Sequence, residues 1–490
     1  MTQVGLTHAL SDQSTWPLYT VNQTQAIEQA AHKALPTFTL MQRAGLATAQ
    51  LALGIAPHAQ KIWIACGPGN NGGDGLEAAA QLQAWGKQVV VTWLGEPSQA
   101  PEDAQRAWQN AKAAGVEFAS KPPPQFDLAV DALLGIGAQR APDGTMATWL
   151  QIMQDSNTSV LCVDTPSGLL PDTGQWLGPR QETHVKRHTL SLLTLKPGLF
   201  TADGRDASGQ VWFNDLAVKP TQAPSAWLQC KPPKRPSLPH NSHKGTFGDV
   251  CILGGAPGMT GAAVLSAIAA LHGHAGRVFV GLLDHDAQHA VMAAHPSLMI
   301  REVESLPLGA STVVCGCGGG DLIHSHLPKV LSSAPKLVLD ADALNAIALD
   351  TSLQTLLKHR QLRQRATVIT PHPLEAARLL GISSQQVQSD RLGAAQQLAN
   401  QFQVTAVLKG SGSIVASPLH TPTINFSGNA RLATAGTGDV LSGLIGAYLA
   451  HSDDVFAATC RAVFEHGHVA DTWPSDSTPL DAATLAARVR

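Results

Sequence analysis

The chain is poor in charge. Of its 490 residues, 14% are Asp, Glu, Lys or Arg, and the formal net charge is −3. No basic stripe breaks that balance, which argues against nucleic acid as a partner. Cysteine is sparse: seven residues lie scattered without the spacing of a disulfide framework, and a reducing cytoplasm fits such usage. The close pair Cys315 and Cys317 reads as two small residues ending a buried strand rather than as a metal or redox pair. The opening stretch MTQVGLTHALSDQS has neither the charged start nor the apolar core of a signal peptide. The longest apolar runs, such as Ala262 to Leu271, are too short to span a bilayer. No short-period repeat is visible. A globular, cytoplasmic protein without a membrane partner is expected.

What is present is a globular composition, 44% hydrophobic, with 44 glycines gathered in short loops after apolar runs. The length exceeds one ordinary core, so two domains are expected. The best linker is Ala217 to His240, which carries Pro220, Pro224, Pro232, Pro233, Pro236 and Pro239. Proline blocks helix and sheet interior, so this stretch should be extended. It divides the chain into residues 1–227 and 228–490. Both halves share one grammar: a short apolar run, a turn bearing Gly or Asp, then a helical pattern. KIWIA, VVVTWL, DLAVDALLG, VLCVDTPSG and TLSLLTLKPG belong to the first half. DVCILGG, RVFVGLL, TVVCGCGGG, KLVLDADALN and ATVITPHP belong to the second. Such runs indicate mainly parallel sheets covered on both faces, that is, two three-layer α/β/α domains. Ligands of such sheets bind beyond the carboxyl ends of the strands, where the motifs lie.

In the first half KIWIA is followed by CGPGNNGGDG and a helix expected over about Leu76–Trp85. Asn70, Asn71 and Asp74 supply oxygens there, and Gly72, Gly73 and Gly75 leave donors exposed, which suits phosphate or ribose. Asp131 stands inside an apolar strand end, where a lone carboxylate is costly. Asp164 and Ser167 follow in VDTPSG. Asn71, Asp131 and Ser167 can meet at one rim as hard oxygens. The spacing separates neither K⁺ from Na⁺ nor a cation from a plain hydrogen-bond network.

The motifs LMQRAG, NNGGDG, VDALLG, VDTPSG and LKPG, in that order over about residues 20–216, resemble the NAD(P)H-hydrate epimerase domain, a Rossmann-like fold. The resemblance implies K⁺ on Asn71, Asp131 and Ser167. It implies the hydrated nucleotide (NADHX or NADPHX) on Asn70, Asn71, Gly72, Gly73 and Asp74, on Gly135, Ile136, Gly137, Ala138, Gln139, Arg140 and Ala141, and on Asp164. Thr165 and Leu76 depart from the family pattern. Asp164 is the expected acid-base group for epimerisation at C6 of the hydrate, and Lys196 is a weaker candidate that could merely snorkel at a strand end.

The second half carries NARLATAGTGDVLSGLIGAYLA. Gly436 and Gly438 open a helix whose N-terminus favours a phosphate oxyanion, and Asp439 sits where it can take a proton from an attacking hydroxyl. Lys409, Gly410, Ser411, Gly412 and Ser413 form the turn of a strand pair and suit phosphates or ribose. His372 stands before a helix beginning at Pro373, as a polar cap or a substrate contact. Asp340, Asp342 and Asn345 either order the rim or act on Mg²⁺ indirectly. With HKGTFGDVCILGG, GMTGAAVLSAIAAL, DADALN, TPHPLEAARLLG, VLKGSGS and AGTGDVLSG, residues 240–445 resemble the ADP- or ATP-dependent NAD(P)H-hydrate dehydratase of the ribokinase-like superfamily. The resemblance implies substrate contacts at Ala262, Gly318, His372 and Asp439, nucleotide contacts at Lys409 to Ser413 and Gly438, and Mg²⁺ with ADP or ATP. Cys317 and Gly319 replace the family's usual Pro and Leu. The whole chain is then expected to epimerise NADHX and NADPHX in its first half and dehydrate the S form in its second, as a homo-oligomer. The alternative is a ribokinase-like small-molecule kinase fused to a non-catalytic nucleotide-binding module.

Overall fold

A computed structural model describes residues 7–178, 185–232, 240–474 and 478–489. Two compact units follow one another, Met1–Leu228 and Gln229–Arg490. Of the proline-rich stretch, residues 233–239, with Pro233, Pro236 and Pro239, lie outside the described residues, whereas Ala226–Gln229 forms a strand.

The strands in chain order are β1 (Thr7–Ala9), β2 (Thr15–Leu18), β3 (Lys61–Cys66), β4 (Gln88–Trp93), β5 (Glu117–Phe118), β6 (Leu128–Ala132), β7 (Ser159–Val163), β8 (Arg187–Leu192), β9 (Gln210–Asn214) and β10 (Ala226–Gln229). In the first unit they run β1-β9-β8-β7-β6-β3-β4-β5, and only the β1–β9 pair is antiparallel. The order reverses between β3 and β6, where the crevice for a ligand opens beyond the strand ends. Alternation along β3 explains why both faces are covered. Ile62, Ile64 and Cys66 enter one apolar core and Trp63 and Ala65 the other. A period of two sends neighbours to opposite faces, so a strand buried on both reads as an unbroken apolar run.

The second unit repeats the scheme with β11 (Asp249–Gly254), β12 (Arg277–Leu282), β13 (Met299–Ile300), β14 (Thr312–Cys315), β15 (Lys336–Leu339), β16 (Ala366–Ile369), β17 (Thr405–Leu408), β18 (Ile414–Ser417) and β19 (His420–Asn425). These run β13-β12-β11-β14-β15-β16-β17-β18-β19, parallel through β17 and antiparallel beyond. The helix Thr437–Ala450 packs against both the helix Thr260–His272 and this sheet, closely enough that a Cβ on Gly443 would lie 1.9 Å from the Ser266 carbonyl oxygen, and one on Gly446 2.4 Å from Val314 of β14. Those two glycines therefore set how deep the helix sits and where its N-terminus points. No helix among the described residues is long and apolar enough to cross a membrane.

One sequence expectation is corrected here. The helix after β3 starts at Asn70, not near Leu76, and runs to Ala84. Its glycines serve clearance. A Cβ on Gly72 would lie 2.0 Å from the Gly67 carbonyl oxygen, on Gly73 2.7 Å from Met41, and on Gly75 2.6 Å from Ala132. The low helix propensity of Asn and Gly disguises a helix that tertiary packing imposes.

Candidate active sites

In the first unit a cavity of about 400 Å³ opens at the point where strand order reverses. The loops after β3 and β6 touch there: a Cβ on Gly67 would lie 1.8 Å from the Leu133 carbonyl oxygen. Asn70, Asn71, Asp74, Gly135, Ile136, Gly137, Ala138 and Asp164 line the cavity. Gly72 and Gly73 are buried inside the helix, and Gln139, Arg140 and Ala141 follow the lining loop without forming the wall. The open first turn at Asn70 and Asn71 offers unpaired backbone donors to an anion.

Asp164 holds a left-handed backbone, φ +66°, at the tip of β7. For a residue other than glycine that conformation costs about 1–3 kcal/mol and is kept only where its surroundings enforce it. Here the Leu192 N–H donates to Asp164 Oδ1 at 3.1 Å, and the Lys196 ammonium donates to the same oxygen. Lys196 is fully buried and also donates to the Leu192 carbonyl at 2.8 Å. It does not snorkel; it is the counter-ion behind Asp164. Asp74, on the opposite wall, is raised well above the ordinary carboxylate range by burial and by the neighbouring charges of Asp164, Glu28 and Asp103.

Asp131 and Ser167 do meet. The Ser167 hydroxyl donates to Asp131 at 2.6 Å and its N–H at 3.0 Å, and the Leu133 N–H adds a third bond at 3.2 Å. Burial still holds Asp131 above its ordinary value despite those bonds. Asn71 stands against the loop after β6, its amide carbon and oxygen 3.3 Å from where a Gly135 Cβ would stand, and its amide nitrogen is buried without a hydrogen-bond partner. Turning that amide presents its oxygen instead. A desolvated carboxylate, a hydroxyl and an amide oxygen are donors of the kind that fit a hard cation.

In the second unit the site lies beyond the carboxyl ends of β14 to β17. Asp340, just after β15, is buried and accepts from Lys409 Nζ at 2.7 Å and from the Ser442 hydroxyl at 2.5 Å. Lys409 follows β17 directly, and its Nζ would stand 3.2 Å from a Cβ on Gly438, so the ammonium lies at the start of the helix Thr437–Ala450. Burial opposes that charge, but Asp340 and Glu375 outweigh it and the Lys409 pKa is raised. Asp439 occupies the first turn of the same helix. Burial first, and then the charge of Asp340, push it up to about 6. The thiol of Cys317 and the carboxylates of Asp340 and Asp439 lie within 4.8 Å of one another. The helix start is held by His466, whose Nε2 donates to the Thr437 carbonyl at 2.9 Å; burial lowers this imidazole to about 4, so it is neutral.

The remaining expected residues gather around this point. Gly318 has φ +59°, and a Cβ on it would meet Ala262 at 2.9 Å, so those two form one patch. His372 caps its helix: Nδ1 accepts from the N–H groups of Leu374 and Glu375 at 3.1 and 3.3 Å. Lys409 to Ser413 form the turn between β17 and β18, with Leu408 opposite Ile414. Asp342 accepts from the Gly320 N–H at 2.9 Å and Asn345 from Arg378 at 2.6 Å, so both order the rim.

Comparison with known proteins finds two family models that match the chain. Residues 250–489 match the family model described as NAD(P)H-hydrate dehydratase, and residues 37–198 match that of the YjeF-related protein N-terminus. The bifunctional NAD(P)H-hydrate repair enzyme of Escherichia coli (strain K12) is 36% identical over 463 residues, 89% of this chain and 85% of that one. The chain belongs to the bifunctional NAD(P)H-hydrate repair enzyme family. The ADP-dependent (S)-NAD(P)H-hydrate dehydratase of Neisseria meningitidis is 41% identical over 255 residues, 51% of this chain and 84% of that one. A solved ADP/ATP-dependent NAD(P)H-hydrate dehydratase from Bacillus subtilis, crystallised with ATP and Mg²⁺, covers 52% of this chain and 92% of its own at 26% identity and TM-score 0.45.

Several residues that sequence reasoning passed over stand at these two sites in the structure. Glu28 and His32, 3.8 Å apart on the helix Val21–Ala34, line the first cavity from a segment that precedes the matched region. Glu375 accepts from the His372 N–H at 2.8 Å, approaches Lys409 Nζ to 3.9 Å, and is pushed by burial to about 7. The signal for Glu375 was present in HPLE, where an acid three residues after a capping position closes a capping box. Ser442 falls one helical turn after Asp439.

Proposed function

We propose that the chain repairs hydrated NADH and NADPH, interconverting the R and S hydrates in its first unit and dehydrating the S hydrate in its second at the expense of ADP or ATP. The observation that carries the reading is Asp439: a carboxylate poised near neutrality at a helix start that also bears the Lys409 ammonium. A base for a hydroxyl and a cradle for a phosphoryl group stand side by side.

In the second unit the hydrate rests at Ala262, Gly318, His372 and Asp439, and the nucleotide at Lys409 to Ser413 and Gly438. Asp439 takes the proton of the C6 hydroxyl as its oxygen attacks the terminal phosphorus. The bond to the leaving nucleotide breaks, and Lys409 with the helix N–H groups steadies the charge that develops on the phosphoryl oxygens. Phosphate then leaves C6 with the bonding pair and a proton is lost from C5, restoring the dihydronicotinamide. Hydroxide alone is a poor leaving group, which is why a nucleotide is consumed. The Cys317, Asp340 and Asp439 cluster does not fit Mg²⁺: a thiol is too soft a ligand, and Lys409 and Ser442 occupy the Asp340 oxygens. Mg²⁺ accordingly enters as part of the nucleotide substrate.

In the first unit the hydrate occupies the cavity between Asn70–Asp74, Gly135–Ala141 and Asp164. Asp164, which pairs with the buried Lys196, receives the C6 hydroxyl proton as the ring opens and returns it when the other face closes. Asn71, Asp131 and Ser167 would hold K⁺, which supplies fixed positive charge beside the bound nucleotide. All seven cysteines are free and buried, in keeping with a reducing compartment such as the cytoplasm.

The test is to mix the full chain with both hydrate epimers, ADP and Mg²⁺, and follow recovery of the dihydronicotinamide absorbance. Recovery of both epimers with release of AMP and phosphate is expected. A stable phosphorylated product, or recovery of the S epimer alone, would overturn the reading.

A further inference from the structure

Two carboxylates stand beside one thiol where the strands of the second unit end. The Sγ of Cys317 and one carboxylate oxygen each of Asp340 and Asp439 lie within 4.8 Å of one another. Asp340 is answered at both oxygens: the Lys409 ammonium donates to one at 2.7 Å and the Ser442 hydroxyl to the other at 2.5 Å. Asp439 differs, because among the described residues the hydrogen-bond donor that reaches its carboxylate is the Cys317 thiol. The backbone fixes that thiol in place. Cys317 is buried between Gly316 and Gly318, with φ of +117° and +59°. Its carbonyl accepts from the Gly255 N–H at 3.0 Å, and the Gly318 carbonyl from the Ala256 N–H at 2.7 Å. A Cβ on Gly316 would lie 2.1 Å from the Asp340 carbonyl oxygen, so the loop is clamped between the ends of β11 and β15. Burial and the charges of Asp439 and Asp340 raise the thiol well above its ordinary value. It keeps its proton and acts as a donor.

The groups facing Asp439 act in both directions. After burial, Asp340 and then Asp342 push it up; the Cys317 thiol, ahead of the Lys409 ammonium, draws it back down. The helix Thr260–His272, packed alongside, carries no charged residue before His272, and His466 behind the helix start is neutral. A base works best with a pKa near the working pH. An ammonium or hydroxyl on Asp439 would hold its charge too firmly for that. A thiol is a weak donor, so it can fix one oxygen and leave the group basic. Cys162 also bonds a carboxylate, Asp131, but that group is already served by the Ser167 hydroxyl and two N–H groups. We propose that Cys317 is a positioning residue for Asp439: its buried thiol donates to one carboxylate oxygen, steadies the negative charge beside Asp340 and leaves the other oxygen to take the hydroxyl proton. The inference rests on the reading of Asp439 as the base of the dehydration. It assigns to Cys317 no contact with substrate.

The pH profile of dehydration by the full chain tests it, measured as phosphate released from the S hydrate with saturating ADP and Mg²⁺. In the wild type, kcat/KM for the hydrate should fall as pH drops below about 6. Cys317→Ala removes the donor. The midpoint of that fall should move up by about half to one pH unit, the scale of one hydrogen bond, which costs roughly two- to five-fold in rate at about pH 6 and almost nothing at about pH 8.5. Cys317→Ser supplies a stronger donor, and its midpoint should lie at or below that of the wild type. An unmoved midpoint in Cys317→Ala overturns the inference, and so does a loss equal at every pH, which is what a packing role alone would give. A midpoint that rises in Cys317→Ser as it does in Cys317→Ala also overturns it. If Cys317→Ala fails to fold, Cys317→Val, which fills the space without a donor, takes its place. Asp439→Asn, assayed alongside, separates the two readings. If it still dehydrates, Asp439 is not the base and both readings fall. If it is inactive while the Cys317→Ala midpoint stays put, only the role of Cys317 falls.

Discussion

Replacing Asp439 by Asn removes a carboxylate that the fold holds at a cost. The group is pushed from 3.8 to about 6, chiefly by burial and then by the charge of Asp340. A raised carboxylate binds its proton more tightly folded than unfolded, so its ionisation at neutral pH destabilises the fold. The shift is about two units at about 1.4 kcal/mol each, a cost of roughly 2–3 kcal/mol. Asn loses the contact with Cys317, so a net gain of roughly 1–3 kcal/mol is expected, with a rise in melting temperature of a few degrees. The sign of the pH dependence follows. The gain is full above about pH 6, where the wild-type carboxylate is ionised, and fades as pH falls from about 6 towards 3.8, where both states carry the proton. Activity moves the other way. Wild-type dehydration should decline as pH drops below about 6. Asp439→Asn should lose on the order of 10²–10⁴-fold in dehydration, with epimerisation intact. Thermal melts at pH 8 and pH 4.5, with both activities assayed on the same samples, decide it. A variant that gains nothing at pH 8, or gains equally at both pH values, would refute the claim that the fold holds this carboxylate under strain. A variant that dehydrates normally would remove Asp439 as the base.

Two further substitutions address the first unit. Asp164→Ala should leave dehydration of the S hydrate unchanged while the R hydrate disappears only at its spontaneous rate of epimerisation; if both activities fall in a protein that melts normally, the two sites are coupled. Asp131→Asn keeps the size of the side chain but removes the charge among Asn71, Ser167 and the buried strand end, so epimerisation should weaken and lose its response to K⁺; an unaltered K⁺ dependence would misplace the cation site.

The strands were legible because burial on both faces leaves an unbroken apolar run: KIWIA is β3 and VLCV lies within β7, and their alternation sends Trp63 and Ile64 to opposite cores. Motif residues at strand ends were legible for the same reason, since the topology fixes where such ends converge. The start of the helix at Asn70 was not legible, because its cause is non-local. Gly72 answers to Gly67, Gly73 to Met41 and Gly75 to Ala132, and those clearances override local propensity. The charged groups behind the sites went unplaced for a related reason, Lys196 being named only as a weaker acid-base candidate and Arg391 not at all. Lys196 lies 32 positions from Asp164 and Arg391 lies 18 from Lys409, and each reaches its partner only after strands and helices have been laid side by side. Residues that touch a ligand sit in loops whose composition marks them. Residues that hold those loops sit in ordinary helices and strand ends, where a lone lysine or arginine reads as surface. What marks Lys196 and Arg391 in the structure, as it marks Arg360, is that they are charged and fully buried. A buried charge must be answered by a neighbour or a ligand. In this chain Lys196 answers a carboxylate already in the fold, and Arg391 holds the carbonyl oxygens of Leu408 and Lys409 where β17 gives way to its turn.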